Sequence, residues 1–240
     1  MAAVVHIVKP PRESLFLEYT QLQLLPYHQN VMTNNTTRVN AVWDTYVEAS
    51  QKFQTRVKRG QTAGLRTLVA AKIPLPKRQN WKHFLTDSRN KDDLFKFLSD
   101  ELQRNTLDSQ YHLFTIKGEL VLSNNTIDLM SLSPCQQEEA DTRMMLHLRH
   151  SVEQGHTKAY LRTVDSDVVV LAVNFFKELG FTELWIGLCT GKSYKDSPIY
   201  EITQMLGTQH CTVLPFVMHS QGAMLFLRCL ELTRRLHEML

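Results

Sequence analysis

Short apolar runs bounded by polar residues predict β-strands at five places along the chain. The predicted strands cover residues 4–8, 39–43, 120–122, 159–164 and 184–188. Apolar residues at helical spacing predict helices over residues 13–25, 81–85, 94–102, 201–206 and 223–240. Strands separated by helices indicate an α/β protein with a mostly parallel sheet covered on both faces.

Two predicted strands end in an aspartate. Asp44 follows the strand over 39–43, and Asp165 follows the strand over 159–164. In open parallel α/β sheets the functional crevice lies at the carboxyl ends of the strands. We therefore expect Asp44 and Asp165 to face one crevice.

Further carboxylates accompany these aspartates. Glu138, Glu139 and Asp141 begin a predicted helix, and Asp167 follows Asp165 by two residues. Clustered carboxylates repel one another unless a cation or a proton lies between them, and Mg²⁺ prefers oxygen ligands of this kind. The pattern favours a metal site, with one alternative, in which the aspartates only cap a helix and the other acids are solvated.

Charge adds one local feature to this picture. The 240 residues carry a net charge of +3 from 27 basic and 24 acidic side chains, too mild a balance to predict nucleic-acid binding by itself. A basic stretch nevertheless follows Asp44 directly and consists of Lys52, Arg56, Lys58 and Arg59. It is either a solvated helix face or a surface that binds phosphates beside the acidic crevice. It leads into a largely helical insert over about 56–105.

Several other classes of protein are disfavoured. The four cysteines form no Cys-x-x-Cys pair, so neither a zinc finger nor a disulfide framework is indicated. No apolar run approaches the roughly 20 residues that cross a bilayer. The run from Gly187 to Ser193 has three residues between its glycines where a phosphate-binding loop has four, so a turn with a surface lysine is favoured. His147 and His150 lie on the acidic helix, as packing residues or as further ligands.

The acidic motifs resemble those of a known family. Glu139-Ala140-Asp141, followed by Thr163-Val164-Asp165-Ser166-Asp167, resembles the internal motifs of the flap-endonuclease-like 5′ nucleases in the PIN-like superfamily. Residues 42–46, with the basic stretch behind them, resemble the family's second aspartate motif. The resemblance covers nearly the whole chain. It is closest to the PIN-like proteins found in many copies in animal genomes, often beside mobile elements, on residues 133–143, 162–165, 184–187 and 190–192.

This resemblance implies a fold and an activity. The fold would be a three-layer PIN-like α/β fold with a mostly parallel central sheet, in a single domain over residues 1–240 with a helical basic insert. The activity would be metal-dependent, structure-specific hydrolysis of phosphodiester bonds in branched or single-stranded DNA or RNA, in the nucleus or cytoplasm and away from membranes. The implied ligands of Mg²⁺ or Mn²⁺ are Glu139, Asp141, Asp165 and Asp167.

The resemblance also gives roles to the neighbouring residues. Asp44 would hold the metals through water or orient the site, and the implied phosphate contacts are Lys52, Arg56, Lys58 and Arg59. Glu138 competes with Glu139, because it lies three residues from Asp141 on the same helix face. The family motif favours Glu139.

The sequence departs from the family at both ends. The family site uses a carboxylate at a position before Met1 and another after a histidine that corresponds to His219, where this chain has Ser220-Gln221-Gly222. We therefore expect a domain incomplete at both ends that binds one divalent ion and cleaves slowly or not at all. The alternatives are a catalytically inactive remnant that binds nucleic acid or protein, and a nucleotide-binding switch on Gly191-Lys192-Ser193.

Overall fold

The computed structural model describes residues 4–12, 14–30, 32–33, 35–46, 66–106, 110–137, 139–189 and 194–221. The chain divides into two compact units, Met1–Arg143 and Met144–Leu240. Both units combine helices with a small sheet, so the chain is a mixed α/β protein. None of the helices described is both long enough and apolar enough to cross a membrane.

The first unit contains a three-stranded sheet and several helices. Strand β1 is Arg38–Ala41, β2 is His112–Lys117 and β3 is Leu120–Ser123, in the order β1-β2-β3. The helices are α1 (Val4–Ile7), α2 (Phe16–Tyr19), α3 (Leu25–Asn30), α4 (Trp81–Phe84) and α5 (Ser88–Asn105), with a π-helical segment, Thr20–Leu24, between α2 and α3. Residues 66–80 form no helix, so within the described part of the predicted insert only α4 and α5 are helical.

Helix α5 forms the core of the first unit together with β2. It begins at a cap: the buried Asp87 side chain accepts hydrogen bonds from the backbone N–H groups of Arg89 and Asn90. Its apolar face, which includes the fully buried Leu94 and Leu98, was predicted from the sequence and is confirmed. The hydroxyl of Ser99 donates to the carbonyl of Ile116 at 2.7 Å and ties the helix to the strand.

The prediction of a strand over residues 4–8 is wrong, because Val4–Ile7 form helix α1. Valines favour strands, but tertiary contacts override that preference. Two distant side chains bind this segment: the Tyr19 hydroxyl donates to the carbonyl of Val8 at 2.9 Å, and the Trp81 indole N–H donates to the carbonyl of Val5 at 2.8 Å. The carbonyls that a sheet would have paired are therefore satisfied by aromatic side chains.

The second unit contains another three-stranded sheet. Its strands are β4 (Lys158–Thr163), β5 (Glu183–Cys189) and β6 (Tyr194–Pro198), in the order β4-β5-β6. Helix α7 (Ser166–Leu179) connects β4 to β5, and α8 (Ile199–Gln221) follows β6 with a non-helical backbone at Gly207. Helix α6 (Ala140–Glu153) contributes residues to both units. The buried side chains of α7 pack with Leu161, Leu184 and Ile186 of the sheet.

The prediction of a mostly parallel sheet is also wrong. In the first unit β1 and β2 are parallel but β2 and β3 are antiparallel, and in the second β4 and β5 are parallel but β5 and β6 are antiparallel. Short connections cause this, since parallel strands need a crossover of a dozen or more residues. The β2–β3 turn is only Gly118-Glu119, in which Gly118 has φ of 64°. Strands β2 and β6 were not predicted from the sequence.

Candidate functional site

Asp44 lies beside the first turn of the acidic helix α6. It follows the last residue of β1 by three positions, and its carboxylate Oδ1 accepts a hydrogen bond from the backbone N–H of Ala140 at 3.3 Å. Ala140 is the first residue of α6, so this N–H has no partner within its own helix. The positive end of the helix dipole also favours a carboxylate here. The half-buried Asp44 thus caps a helix that lies far from it in sequence.

Arg143 fixes the position of this helix start. Its guanidinium is fully buried and donates to three backbone carbonyls: Nη1 to Gly118 at 2.9 Å, Nη2 to Cys135 at 3.0 Å, and Nε to Gln137. Burial lowers the pKa of Arg143, and the charges of Cys135, Asp44 and Glu119 act in the opposite direction. The planar, five-donor guanidinium suits a site where several carbonyls converge.

The β2–β3 turn joins Arg143 to the residue after Asp44. The carbonyl of Gly118 accepts from Arg143 and also from the hydroxyl of Thr45 at 3.1 Å. In addition, the backbone N–H of Cys135 donates to the carbonyl of Glu119 at 2.7 Å. The end of β1, the hairpin turn and the start of α6 are consequently held together, and the role of Arg143 in this was not found from the sequence.

Two further predicted ligands lie at this same helix end. Glu139 immediately precedes α6, and Asp141 lies in its first turn; both are half-buried. The Asp141 carboxylate accepts a hydrogen bond from the backbone N–H of Thr142 at 3.1 Å. Glu138 lies outside the described residues, so the choice between Glu138 and Glu139 stays open. The structure therefore brings Asp44 to the helix end that carries Glu139 and Asp141.

Asp165 and Asp167 occupy the corresponding position in the second unit. Strand β4 ends at Thr163, as predicted to within one residue, and Asp165 is the N-cap of α7. The carboxylate Oδ1 of Asp165 accepts from the backbone N–H of Asp167 at 2.9 Å, and its own N–H donates to the Thr163 hydroxyl at 3.0 Å. Both aspartates are exposed. The cap that the sequence left as an alternative is therefore present at Asp165.

The predicted single crevice remains a prediction. Asp44, Glu139 and Asp141 belong to one unit, and Asp165 and Asp167 belong to the other. In the part of the chain that the structure describes, no three His, Cys, Asp or Glu side chains form a group that could hold a metal ion. His147 and His150 are buried side chains of α6. The predicted phosphate contacts, Lys52, Arg56, Lys58 and Arg59, lie outside the described residues.

A close contact explains the glycine that begins the run from Gly187 to Ser193. The hydroxyl of Tyr160 on β4 donates to the Asp196 carboxylate on β6 at 2.5 Å. Strand β5 lies between these two strands, so the tyrosine side chain passes over Gly187 of β5. A Cβ atom at position 187 would lie 2.1 Å from the Tyr160 hydroxyl. Burial, followed by the bond to Asp196, raises the pKa of Tyr160. The tyrosine contact thus requires Gly187 without reference to a phosphate; Gly191, Lys192 and Ser193 are not among the described residues.

Comparisons of the chain with protein-family models, with curated proteins and with solved structures found no match. The resemblance to the PIN-like nucleases accordingly rests on the sequence motifs.

Proposed function

We propose that the chain is a metal-dependent nuclease of the flap-endonuclease-like class, which hydrolyses phosphodiester bonds in DNA or RNA that is branched or single-stranded. The observation that supports this most is the hydrogen bond between Asp44 and Ala140. In this bond a carboxylate that follows a strand lies beside the acidic helix start, and these are two of the three segments whose motifs resemble those of the family. Asp165 and Asp167, at the end of β4, supply the third motif.

The chemistry of these side chains suits a hard divalent ion. Carboxylate oxygens are the ligands that Mg²⁺ and Mn²⁺ take in proteins. The ligands in this proposal are Glu139, Asp141, Asp165 and Asp167. When bound, such an ion lowers the pKa of a water molecule and stabilises negative charge on the phosphate.

The remaining residues position these ligands or bind substrate. Asp44 holds the start of α6 through Ala140, and Arg143 holds it through three carbonyls, so both are positioning residues for Glu139 and Asp141. In the proposal, the cations that neutralise the substrate phosphates are Lys52, Arg56, Lys58 and Arg59.

Cleavage assays test the activity directly. Labelled flap, hairpin and single-stranded substrates are incubated with Mg²⁺, with Mn²⁺ and with EDTA. We expect slow cleavage that EDTA abolishes and that the double substitution Asp165→Asn, Asp167→Asn lowers on the order of 100-fold. An ion that has lost two ligands is held loosely, and a misplacement of about 1 Å costs about that factor. Glu178→Gln is the matched control, because this exposed carboxylate lies near the other end of α7. Equal cleavage by the double variant, or none by the native chain, contradicts the proposal.

Thermal melting tests the ion independently of turnover. We expect Mg²⁺ or Mn²⁺ to raise the melting temperature relative to EDTA, because a cation relieves carboxylate repulsion and binds the folded state. The stabilisation should be about 1 kcal/mol when the metal concentration is about five times Kd. The double aspartate variant should lose this shift and Glu178→Gln should keep it. The same shift in all three proteins would show that the ion binds elsewhere.

A second function is favoured by a specific observation. Asp44 and Asp165 each accept a hydrogen bond from the start of a helix, and the described acids form no group that could hold a metal. A non-catalytic module that binds nucleic acid or protein would need these carboxylates only as caps. Nucleic-acid binding that EDTA leaves unchanged, without cleavage in either metal, would favour this alternative.

A further inference from the structure

A basic pocket lies in the first unit, and its lining contains none of the residues of the proposed nuclease site. It has a volume of about 600 Å³, within the range of ligand sites. Helix α1, the residues just after it and the segment that leads into α4 form its wall. The lining residues are His6, Lys9, Arg78, Gln79, Trp81 and Lys82.

The charge of this basic pocket is one-sided. Its lining includes Lys9, Arg78 and Lys82, all exposed, and none of the described residues that line it carries a carboxylate. Within the described part of the chain, none of these three cations is in an ion pair. Several other described cations on this unit differ in this respect: Lys96, for example, pairs with Asp92 at 2.6 Å. Converging cations without an internal partner are complementary to an anion from outside.

The pKa of His6 is affected by nearby positive charges. Its pKa is lowered, first by partial burial and then by the charges of Lys91 and Lys82. Lys91 also lies over the ring of Tyr46, 4.8 Å from its centroid. No acidic group is among the causes that act on His6. Cations from three segments therefore act on this region: Lys9 follows α1, Arg78 and Lys82 lie just before and within α4, and Lys91 lies on α5.

Trp81 makes the pocket a preformed one. Its buried indole donates to the carbonyl of Val5 on α1, and its ring packs on Tyr19 at 5.3 Å and on Phe84 at 5.1 Å between centroids. These contacts join α1 to α4 and so fix the backbones that carry His6 and Lys82. A backbone that is already fixed reduces the cost of ordering these segments when a ligand binds.

A second cavity adjoins the first. It has a volume of about 420 Å³ and shares Lys9 and Arg78 with the basic pocket, while Tyr27, Gln23 and Asn30 lie on its far side. The two shared cations therefore stand between two spaces. This arrangement suits a ligand with phosphate at its centre and other groups on either side, such as a nucleotide or one link of a nucleic-acid strand.

We propose that the basic pocket binds phosphate, presented by a nucleotide or by a single nucleic-acid strand. Lys9, Arg78 and Lys82 neutralise the phosphate, and Gln79 and His6 supply further hydrogen-bonding groups. The proposal needs neither a metal ion nor cleavage, so it stands or falls separately from the nuclease.

The test compares two variants of the full chain with equal loss of charge. The pocket variant carries Lys9→Gln, Arg78→Gln and Lys82→Gln. The control variant carries Arg149→Gln, Lys158→Gln and Lys177→Gln, three exposed cations of the second unit. The probes are adenosine monophosphate and a labelled single-stranded oligothymidylate, with EDTA present, and binding is followed across a salt series.

We expect the native chain and the control variant to bind a probe and the pocket variant to bind it at least 10-fold more weakly. For the oligonucleotide, the slope of log affinity on log salt should fall in the pocket variant by about 0.7 for each phosphate contact that is lost. Saturable binding of adenosine monophosphate identifies a nucleotide site, and binding of the oligonucleotide alone identifies a strand site. In either case the His6 imidazole resonance, assigned with His6→Asn, should move during titration of the native chain.

No binding of either probe, or equal weakening in the two variants, overturns the proposal. Thermal melting first establishes that both variants are folded. If the pocket variant is not, Lys82→Gln alone and the His6 resonance of the native chain provide the comparison, and a resonance that does not move during saturable binding is again contrary to the proposal.

Discussion

Replacing Arg143 by methionine is expected to lower the free energy of unfolding by about 4 kcal/mol. The buried guanidinium donates to the carbonyls of Gly118, Cys135 and Gln137. Methionine fills much of the same space but donates no hydrogen bond, so these three carbonyls would lose their buried, charged donor. Hydrogen bonds to charged groups contribute about 1.5–3 kcal/mol each and are not additive, which gives the figure for the set.

Thermal and urea unfolding measure this effect. For a chain of this size the melting temperature should fall on the order of 10 °C. Arg149→Met is the control, because Arg149 is exposed on the same helix and, among the described residues, pairs only with Glu153. Surface pairs contribute about 1 kcal/mol or less. Arg143→Lys should restore little, since one ammonium group cannot reproduce the guanidinium geometry. Equal stability of Arg143→Met and Arg149→Met would show that the three bonds contribute nothing net.

Acid is expected to destabilise the chain through His28, by about 3 kcal/mol at pH 4 and below. Its side chain is buried, its two ring nitrogens have no hydrogen-bond partner among the described residues, and its ring contacts Tyr111 at 5.9 Å between centroids. Burial lowers the pKa of His28 from 6.5 to about 4. Between these values the unfolded chain binds a proton that the folded chain does not, so stability is complete above pH 6.5 and is lost as the pH falls towards 4.

This is tested by measuring the unfolding of the native chain and of two variants from pH 7.5 to pH 4. His28→Phe keeps a ring beside Tyr111 and removes the titration, so its free energy of unfolding should depend less steeply on pH than that of the native chain. The difference between the two should grow to about 3 kcal/mol at pH 4. His83→Phe is the control, because His83 is exposed on α4. Parallel pH profiles for the native chain and His28→Phe would be contrary to the prediction.

The two predictions concern the packing on which the proposed sites depend. Arg143 and Asp44 bind the start of α6, where Glu139 and Asp141 stand, so a loss of Arg143 is also a loss of position for those acids. His28 lies in α3, whose last residue, Asn30, lines the smaller cavity beside the basic pocket. The stability of these variants therefore has to be measured before their binding or cleavage is interpreted.

Local pattern was sufficient where an element is determined by its own residues. The apolar face of α5 and the strand before Asp165 follow from spacing within a few residues, and both are found in the structure. The cap at Asp165, which the sequence offered as an alternative to a metal ligand, is found as well. The acidic start of α6 is likewise visible from the sequence, because Asp141 lies in the first turn. Periodicity indicates which residues of a segment face a core, and it does so whatever other residues form that core.

Distant contacts decided the rest. Residues 4–8 have the composition of a strand, but the hydroxyl of Tyr19 and the indole of Trp81 satisfy carbonyls of a helix instead. The cations of the basic pocket come from positions 9, 78 and 82, a separation that no spacing rule detects. The sequence by itself determined the helices and strands with clear periodicity and the acids at their ends. Only the tertiary structure decided the mixed sheets, the buried Arg143 and the pocket, because strand pairing, burial of a charge and convergence of cations are properties of residues that meet through space.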